Sequence, residues 1–188
     1  MPDEAADWLA DEIVAIDMQR VRAVQVRHSD GEVVRVERAE PSQADFGLPD
    51  LEEAESIKSV YALNGMASVF ADLRLEDVRP ADEVAWPEED VLVVEMTTFD
   101  GLRLRMNAIT QEETVLAGFS AEYDPALREG TDEASGLRSS EAVQEEAVAL
   151  AARFEGWRYE LPSWRVESLT KRRADLVQAA GDEAESGQ

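Results

Sequence analysis

Carboxylates are the only abundant reactive side chains in this sequence. Its 188 residues include 42 Asp and Glu, one histidine and no cysteine. Two carboxylates facing each other across roughly 5–10 Å could hydrolyse a glycosidic bond by general acid–base chemistry. The lack of cysteine excludes thiolate nucleophiles and disulfides, and a single histidine excludes most catalytic triads and His-rich metal sites. No spacing in the sequence selects two of the carboxylates as a catalytic pair.

Three acidic runs could chelate a hard cation such as Ca²⁺, which takes several oxygen ligands from a compact loop. They are Asp50-Glu52-Glu53-Glu55, Glu88-Glu89-Asp90 and Glu141-Glu145-Glu146. Their spacing matches no recognised calcium loop, and the phosphate-loop, dinucleotide-binding and nucleophile-elbow motifs are absent from the sequence. We therefore interpret the runs as a solvated acidic surface and predict no catalytic residue, metal or cofactor.

His28 stands at the end of a predicted strand, beside a turn. Residue parity puts it on the same face as Val24 and Val26. This position favours a partly buried structural histidine over a catalytic or pH-sensing one.

The aromatic residues near the C-terminus allow two interpretations. Trp157 and Tyr159 share one face of a predicted strand, and Trp164 follows at the first turn of the next helix. Such a group could form a platform for a sugar or peptide, or the edge of a hydrophobic core. The core is the favoured interpretation, and Trp157, Tyr159 and Trp164 are kept as the candidate ligand or partner surface.

Two antiparallel hairpins are predicted around Asp-Gly turns. In the first, a three-residue loop over residues 29–31 pairs Val26 with Val34 and Val24 with Val36, whereas a two-residue loop would scramble the two faces. Gly31 then takes the left-handed position of a bulged turn.

The second hairpin follows the same rule with a loop over residues 99–101. Its apolar pairs are Met96 with Leu104 and Val94 with Met106, and Glu95 lies opposite Arg105 on the wet face. A third run over residues 114–121 is expected to extend this sheet.

Helices are predicted from apolar residues at intervals of three and four. The segments are a short helix containing Trp8, Leu9, Ile13 and Ile16 and capped by Asp7, a helix over residues 56–73, a helix over 141–154 capped by Ser139 or Ser140, and a final helix capped by Ser163 that carries Val166, Leu169, Leu176 and Val177. Residues 44–56 read as a loop leading into a helix, 73–90 as a strand or extended connection, 124–140 as a mobile loop and 156–162 as a short strand.

These elements predict an α+β fold of two antiparallel hairpin units, each packed with helices. We expect the units at residues 1–80 and 81–178, packed as one domain or as two lobes, followed by a disordered tail over 179–188. Their shared turn chemistry hints at an internal ββα-type duplication.

A formal net charge of −24 repels phosphate backbones and anionic lipids, so nucleic acid and membrane surfaces are poor partners. No apolar stretch is long enough to span a membrane, and the acidic N-terminus is unlike a signal peptide. The acidic, lysine-poor composition also suits a high-salt habitat.

Three segments resemble the bacterial domain-of-unknown-function family 4340. They are WLADEIVAIDMQRVRAVQVRHSDGE at 8–32, YALNGMASVFADLRLEDVRP at 61–80 and FEGWRYELPSWRVESLTKR at 154–172. The most specific part is the Asn-Gly-Met-Ala-Ser helix followed by LRLEDV, and the likeness spans about residues 8–177. None of these motifs is catalytic. The resemblance implies the soluble C-terminal part of a protein with an N-terminal membrane anchor, often associated with ABC-type transport systems.

The sequence therefore leads us to expect a non-enzymatic, extracytoplasmic (periplasmic) interaction module with a protein partner, such as subunits of an ABC transporter. An exposed apolar patch or an open sheet edge would support this function. The alternative is a small-ligand domain for carbohydrate or peptide, with the C-terminal aromatic cluster as its wall.

Overall fold

The computed structural model describes residues 12–87, 89–111, 114–128 and 136–180. The strands are β1 (Glu12–Val14), β2 (Val21–Arg27), β3 (Val33–Glu37), β4 (Glu55–Ile57), β5 (Leu73–Arg74), β6 (Asp77–Pro80), β7 (Leu92–Thr98), β8 (Leu102–Gln111), β9 (Thr114–Tyr123), β10 (Trp157–Pro162) and β11 (Val177–Ala179). The helices are α1 (Val60–Ser68), α2 (Ser140–Phe154), α3 (Ser163–Val166) and α4 (Arg173–Leu176).

A seven-stranded antiparallel sheet organises the chain, in the order β3-β2-β7-β8-β9-β10-β6. Two small sheets, β1-β5 and β4-β11, lie beside it. This combination of helices with antiparallel sheets confirms the predicted α+β class. The large sheet contains strands from both predicted units, because β2 pairs directly with β7.

Both predicted hairpin registers are confirmed. Val24 and Val26 pair with Val36 and Val34. In the second hairpin, the apolar pairs are Met96 with Leu104 and Val94 with Met106, and Glu95 lies opposite Arg105. Gly31 and Gly101 have φ values of 91° and 98°, the left-handed conformation that a residue without Cβ adopts cheaply.

The two faces of the large sheet differ in character. One face is the core, where the hairpin valines, Met96, Leu104 and Met106 are buried. Helix α2 covers part of this face, and its Phe154 ring lies 5.3 Å from Phe119 of β9. The opposite face carries a ladder of charged residues, so the sheet alternates apolar and polar residues as a half-buried sheet must.

The prediction of an N-terminal helix is wrong in the part that the structure describes. Glu12–Val14 form strand β1, which pairs with β5 through a bulge. Ile13 and Val14 are both buried, and Ile16 N–H donates a 2.8 Å hydrogen bond to the carbonyl of Phe70. Adjacent buried β-branched residues suit an extended chain that gains partners in the tertiary structure. Asp7, Trp8 and Leu9 lie outside the described residues.

The final helix is also not continuous. Pro162, rather than Ser163, occupies the cap position of α3, and Lys171 and Arg172 have extended backbone between the helical turn ending at Thr170 and α4. Val177 belongs to β11, where it pairs with Ile57 of β4. The chain leaves the helix because strand pairing with the 55–57 segment gives its backbone groups other partners.

The remaining predicted segments have mixed outcomes. Helix α2 is confirmed, with Ser139 Oγ accepting a hydrogen bond from Ala142 N–H, and strands β9 and β10 occupy the predicted segments. The helix predicted over 56–73 is shorter, comprising α1 and a turn to Ala71. The predicted disordered tail over 179–188 is wrong at its start, because Ala179 belongs to β11 and Ala180 N–H donates to the Ala54 carbonyl. Residues 129–135 of the predicted mobile loop, 181–188 of the predicted tail, and Glu88 lie outside the described residues.

Candidate functional site

Tyr159, the central member of the aromatic trio, lies in the core. Its ring contacts Phe119 and Phe154 edge-on, with centroids 5.5 and 6.2 Å away. Its hydroxyl donates to the carbonyl oxygen of Arg153 at 2.9 Å, and burial raises the pKa of Tyr159. A buried phenol with one partner is typical of packing.

Trp157 and Trp164 are exposed. Trp157, 43% exposed, lies opposite Pro80 on β6, whereas Trp164 is 63% exposed at the start of α3. The guanidinium of Arg165 lies 4.4 Å from the Trp164 ring centroid, so this ring already has a cationic neighbour. Of the three predicted residues, only the two tryptophans present surface to a ligand or partner.

A buried ion cluster joins the second hairpin turn to α2. Arg20 Nε donates to Asp100 at 2.7 Å, and its Nη1 and Nη2 donate to the Glu146 carboxylate at 3.0 and 2.6 Å. Asp100 also accepts hydrogen bonds from the Thr98 hydroxyl and the Arg138 backbone N–H, at 2.6 and 3.1 Å. The Arg20 and Asp100 side chains are only 4% and 0% exposed.

Hydrogen bonds outweigh burial in setting the direction of the pKa shifts of Arg20 and Asp100. Burial alone would lower the pKa of Arg20, but bonds to Glu146 and Asp100 outweigh burial and raise it. Burial would raise the pKa of Asp100, but bonds from Arg20 and Thr98 hold it below its ordinary value. An ionised carboxylate saturated with donors is suited to holding the turn in place.

A second ion cluster, near the surface, joins the first hairpin turn to the C-terminal segment. Arg172 Nη1 lies 2.8 Å from both Asp30 and Glu32, and the backbone N–H of Arg173 donates to Glu32 at 2.9 Å. His28 is buried beside this cluster as expected, with Nε2 3.2 Å from the carbonyl oxygen of Lys171.

The Arg173 side chain extends the same cluster to the first predicted cation run. It pairs with Asp50 at 2.7 Å and also with Glu55. Glu146, from the third run, pairs with Arg20 and Arg138. Within the described part of the chain, we find no arrangement of three or more His, Asp or Glu side chains close enough together to hold a metal ion.

Buried Arg38 fixes the loop that follows β3. It donates to the carbonyl oxygens of Val21, Gln43 and Met18. Its guanidinium lies 5.0 Å from the Phe46 ring centroid, and burial lowers its pKa. These contacts hold residues 43–48 beside the outer edge of β3.

Only part of the β3 edge is covered by this loop. Glu37 exchanges two backbone hydrogen bonds with Gly47, at 2.8 and 2.9 Å. Arg38 N–H and His28 N–H bond across the β2-β3 pair, so even-numbered residues of β3 point their backbone groups at β2 and odd-numbered ones point away. Within the described residues, the backbone groups of Val33 and Arg35 therefore face outward without a hydrogen-bond partner.

The β6 edge, at the other end of the sheet, offers no free N–H donor to a new strand at its outward positions. The bond from Ala81 N–H to the Gly156 carbonyl sets a register in which Val78 and Pro80 face outward. Val78 N–H is already bonded to the Asp77 side chain at 2.8 Å, and proline has no N–H. This edge offers no free donor at either position, whereas β3 offers two.

Two shallow depressions accompany these features. A groove of about 460 Å³ runs along α2 between Arg138 and Arg153, and a pocket of about 160 Å³ lies on the charged sheet face beside Arg103 and Arg105. Both arginine pairs already have partners, because Arg138 binds Glu146, Arg153 donates to the carbonyl of Ile13, and Arg103 and Arg105 pair with Glu95.

Sequence reasoning missed the Arg20 cluster and the difference between the sheet edges. Asp100 was placed in a turn, and Glu146 in an acidic run, but Arg20 had no local signal because its partners are 80 and 126 residues away. Pro80 was the one local clue, since proline within a strand marks an edge.

Within the described residues, no helix has the length and apolar character needed to cross a bilayer. Comparison of the chain with protein-family models, curated proteins and solved structures found no match.

Proposed function

We propose that this protein is a non-enzymatic interaction module that docks a protein partner through the open edge of β3. The observation that carries the proposal is the contrast between the two ends of the sheet. The β6 edge has no free N–H at its outward positions, whereas β3 presents those of Val33 and Arg35. Unpaired edge groups are a ready template for strand addition by another chain.

The contacts around β3 support a prepared docking edge. Loop 43–48 is fixed by Arg38 and by Asn64, whose side chain accepts from Phe46 N–H and donates to Asp45. This loop limits the docking edge to residues 33–35. Because the loop is already held in place, its ordering adds little to the entropy cost of binding.

The cellular setting of the proposal rests on the resemblance to family 4340. In this setting, the domain is the extracytoplasmic part of a membrane-anchored protein, and the partner belongs to an ABC-type transport system. The ion clusters around Arg20 and Arg172 hold the two hairpin turns in place. We assign them a structural role, which is compatible with a non-enzymatic scaffold.

The test is site-specific photocrosslinking of the full-length protein in its native membrane. A photoreactive residue at Val33 reports on the β3 edge, and one at Val148, which is 66% exposed on α2, is the matched control. We expect the Val33 position to capture a permease subunit, whose extracytoplasmic surface it can reach, that Val148 does not. Equal capture from both positions, or none while a known complex in the same membrane is captured, would contradict the proposal.

A small-ligand site is a second proposal, supported by the exposure of Trp157 and Trp164. A titration with oligosaccharides, followed by tryptophan fluorescence, would test it. Binding that Trp164→Ala weakens, and that Val148→Ala leaves unchanged, would favour this function. A wild-type fluorescence spectrum that does not change on addition of oligosaccharide would contradict the small-ligand proposal.

A further inference from the structure

We propose that the segment accepted by β3 is a short, extended and positively charged stretch of the partner protein. This inference rests on the proposed docking function and adds to it the chemistry of the partner. Three observations carry it: the number of open backbone groups, the side chains beside them, and the charge of the whole chain.

The open edge is short and has defined ends. Outward-facing backbone groups are available at Val33 and Arg35, while Glu37 is bonded to Gly47 and the turn at Gly31 ends the strand on the other side. Each open residue contributes one N–H and one C=O, so an added strand can form up to four backbone hydrogen bonds. An extended stretch of a few residues is enough to occupy it.

The side chains of Val33 and Arg35 lie beside the open edge. They favour an apolar residue in the added strand and do not require an acidic one. Val33 is 40% exposed at the edge and offers apolar surface to the residue laid beside it. Arg35 is already paired with Glu37, with 2.8 Å between Nε and Oε2. An acidic residue is therefore not required to neutralise Arg35.

The net charge of −24 determines which segments can approach. An anionic segment, or a second copy of this chain, meets long-range repulsion, whereas a segment rich in Lys or Arg is steered toward the protein. The occupant that fits is thus an extended segment with Lys or Arg alternating with apolar residues.

The test uses the purified chain and synthetic capped octapeptides. The probe alternates valine with lysine, and the comparison peptides alternate valine with glutamate or valine with serine. With ¹⁵N-labelled protein, we expect the lysine peptide to shift the Val33 and Arg35 amide signals, with a Kd that rises between about 0.05 M and about 0.5 M salt.

The variant pair Val33→Pro and Val33→Ala separates the backbone from the side chain. Proline removes an N–H that points away from β2, so the β2-β3 pairing stays intact and is checked through the amide signals of Val24 and Val26. We expect Val33→Pro to bind the lysine peptide at least about fivefold more weakly than Val33→Ala, as for one lost hydrogen bond. Arg35→Pro against Arg35→Ala repeats the comparison.

The outcomes distinguish this inference from the proposed function. Binding of the serine or glutamate peptide as tight as that of the lysine peptide, at the same amides, would overturn the charge argument and leave edge docking in place. No shift of either amide with any peptide, or self-association of the chain through this edge, would overturn the inference. Lysine-peptide binding together with failed photocrosslinking would keep the inference and contradict the transport-associated function.

Discussion

The two hairpin turns share a sequence pattern and a backbone conformation, but they lie in opposite environments. Asp30 and Asp100 each precede a left-handed glycine, and each pairs with an arginine distant in sequence. The Asp30 side chain is 59% exposed, whereas the Asp100 side chain is fully buried. Local turn chemistry thus sets the conformation of the chain, while the tertiary structure decides how much an ion pair in that turn contributes to stability.

The largest difference is expected when the arginine of each pair is removed. Arg20→Met leaves Asp100 and Glu146 without their shared cation in a desolvated place, so we expect a loss of about 3–5 kcal/mol in the free energy of unfolding. Arg172→Met acts on a hydrated cluster and should change stability far less. Urea unfolding followed by circular dichroism measures both. Equal losses would show that the Arg20 cluster is better solvated than its geometry indicates.

The turn glycines give the next contrast. At Gly31 and Gly101 alike, a side chain would have to adopt a left-handed conformation that costs about 1–2 kcal/mol. A Cβ at Gly31 meets open space, whereas one at Gly101 would lie 2.9 Å from the Asp124 carbonyl oxygen and 2.8 Å from the Tyr123 ring. We therefore expect Gly101→Ala to cost about 2–4 kcal/mol, more than Gly31→Ala. Thermal unfolding of the two variants checks the order, which would be contradicted if Gly31→Ala were the worse.

A pH series on Asp100→Asn sharpens the comparison of the carboxylates. The pKa of Asp100 is lowered in the folded state, so its ionised form contributes stability above the unfolded pKa, and this contribution is lost as the pH falls through the folded value. We expect Asp100→Asn to lose about 2 kcal/mol at pH 7 and to show a flatter fall in stability than wild type below about pH 4.

The matched control in that series is Asp30→Asn. Asp30 also has a lowered pKa, through its hydrogen bond with Arg172, but water surrounds it. We expect the free energy of unfolding of Asp30→Asn to be close to that of wild type at pH 7. If the stability of Asp100→Asn fell as steeply below about pH 4 as that of wild type, the proposal that the Asp100 charge stabilises the fold would be contradicted.

A smaller loss of stability than that of Asp100→Asn is expected at α2, the helix that follows the buried turn's contact with Arg138. Ser139 caps α2 through Ala142 N–H, and the preceding residue, Arg138, donates its N–H to Asp100. Ser139→Ala should cost about 1 kcal/mol. It should also speed hydrogen exchange at the Arg138 amide, while the Glu32 amide in the first turn exchanges as before. Faster exchange at both sites would show that the two turns are coupled.

The sequence was informative where structure depends on neighbours along the chain. Both registers follow from alternating residues around Asp-Gly turns. A serine cap at residue 139 or 140 follows from its position before an apolar stripe, and the structure uses Ser139. The cluster around Arg20 depends on contacts over 80 and 126 residues, for which spacing carries no information. The failed predictions at Ile13 and Val177 share one cause, because strand pairing with distant segments replaced the helix that local spacing favoured.

The β6 edge at Val78 and Pro80 has a consequence for assembly. A protein that polymerises by strand addition needs a donor edge and an acceptor edge, so that each added copy offers a new end to the next. Here a strand laid on β3 leaves the far end of the sheet capped by a proline and a bonded amide. Under the proposed docking function, a strand added to β3 would therefore leave no free N–H at Val78 or Pro80 through which a further copy could be added at the β6 end of this sheet.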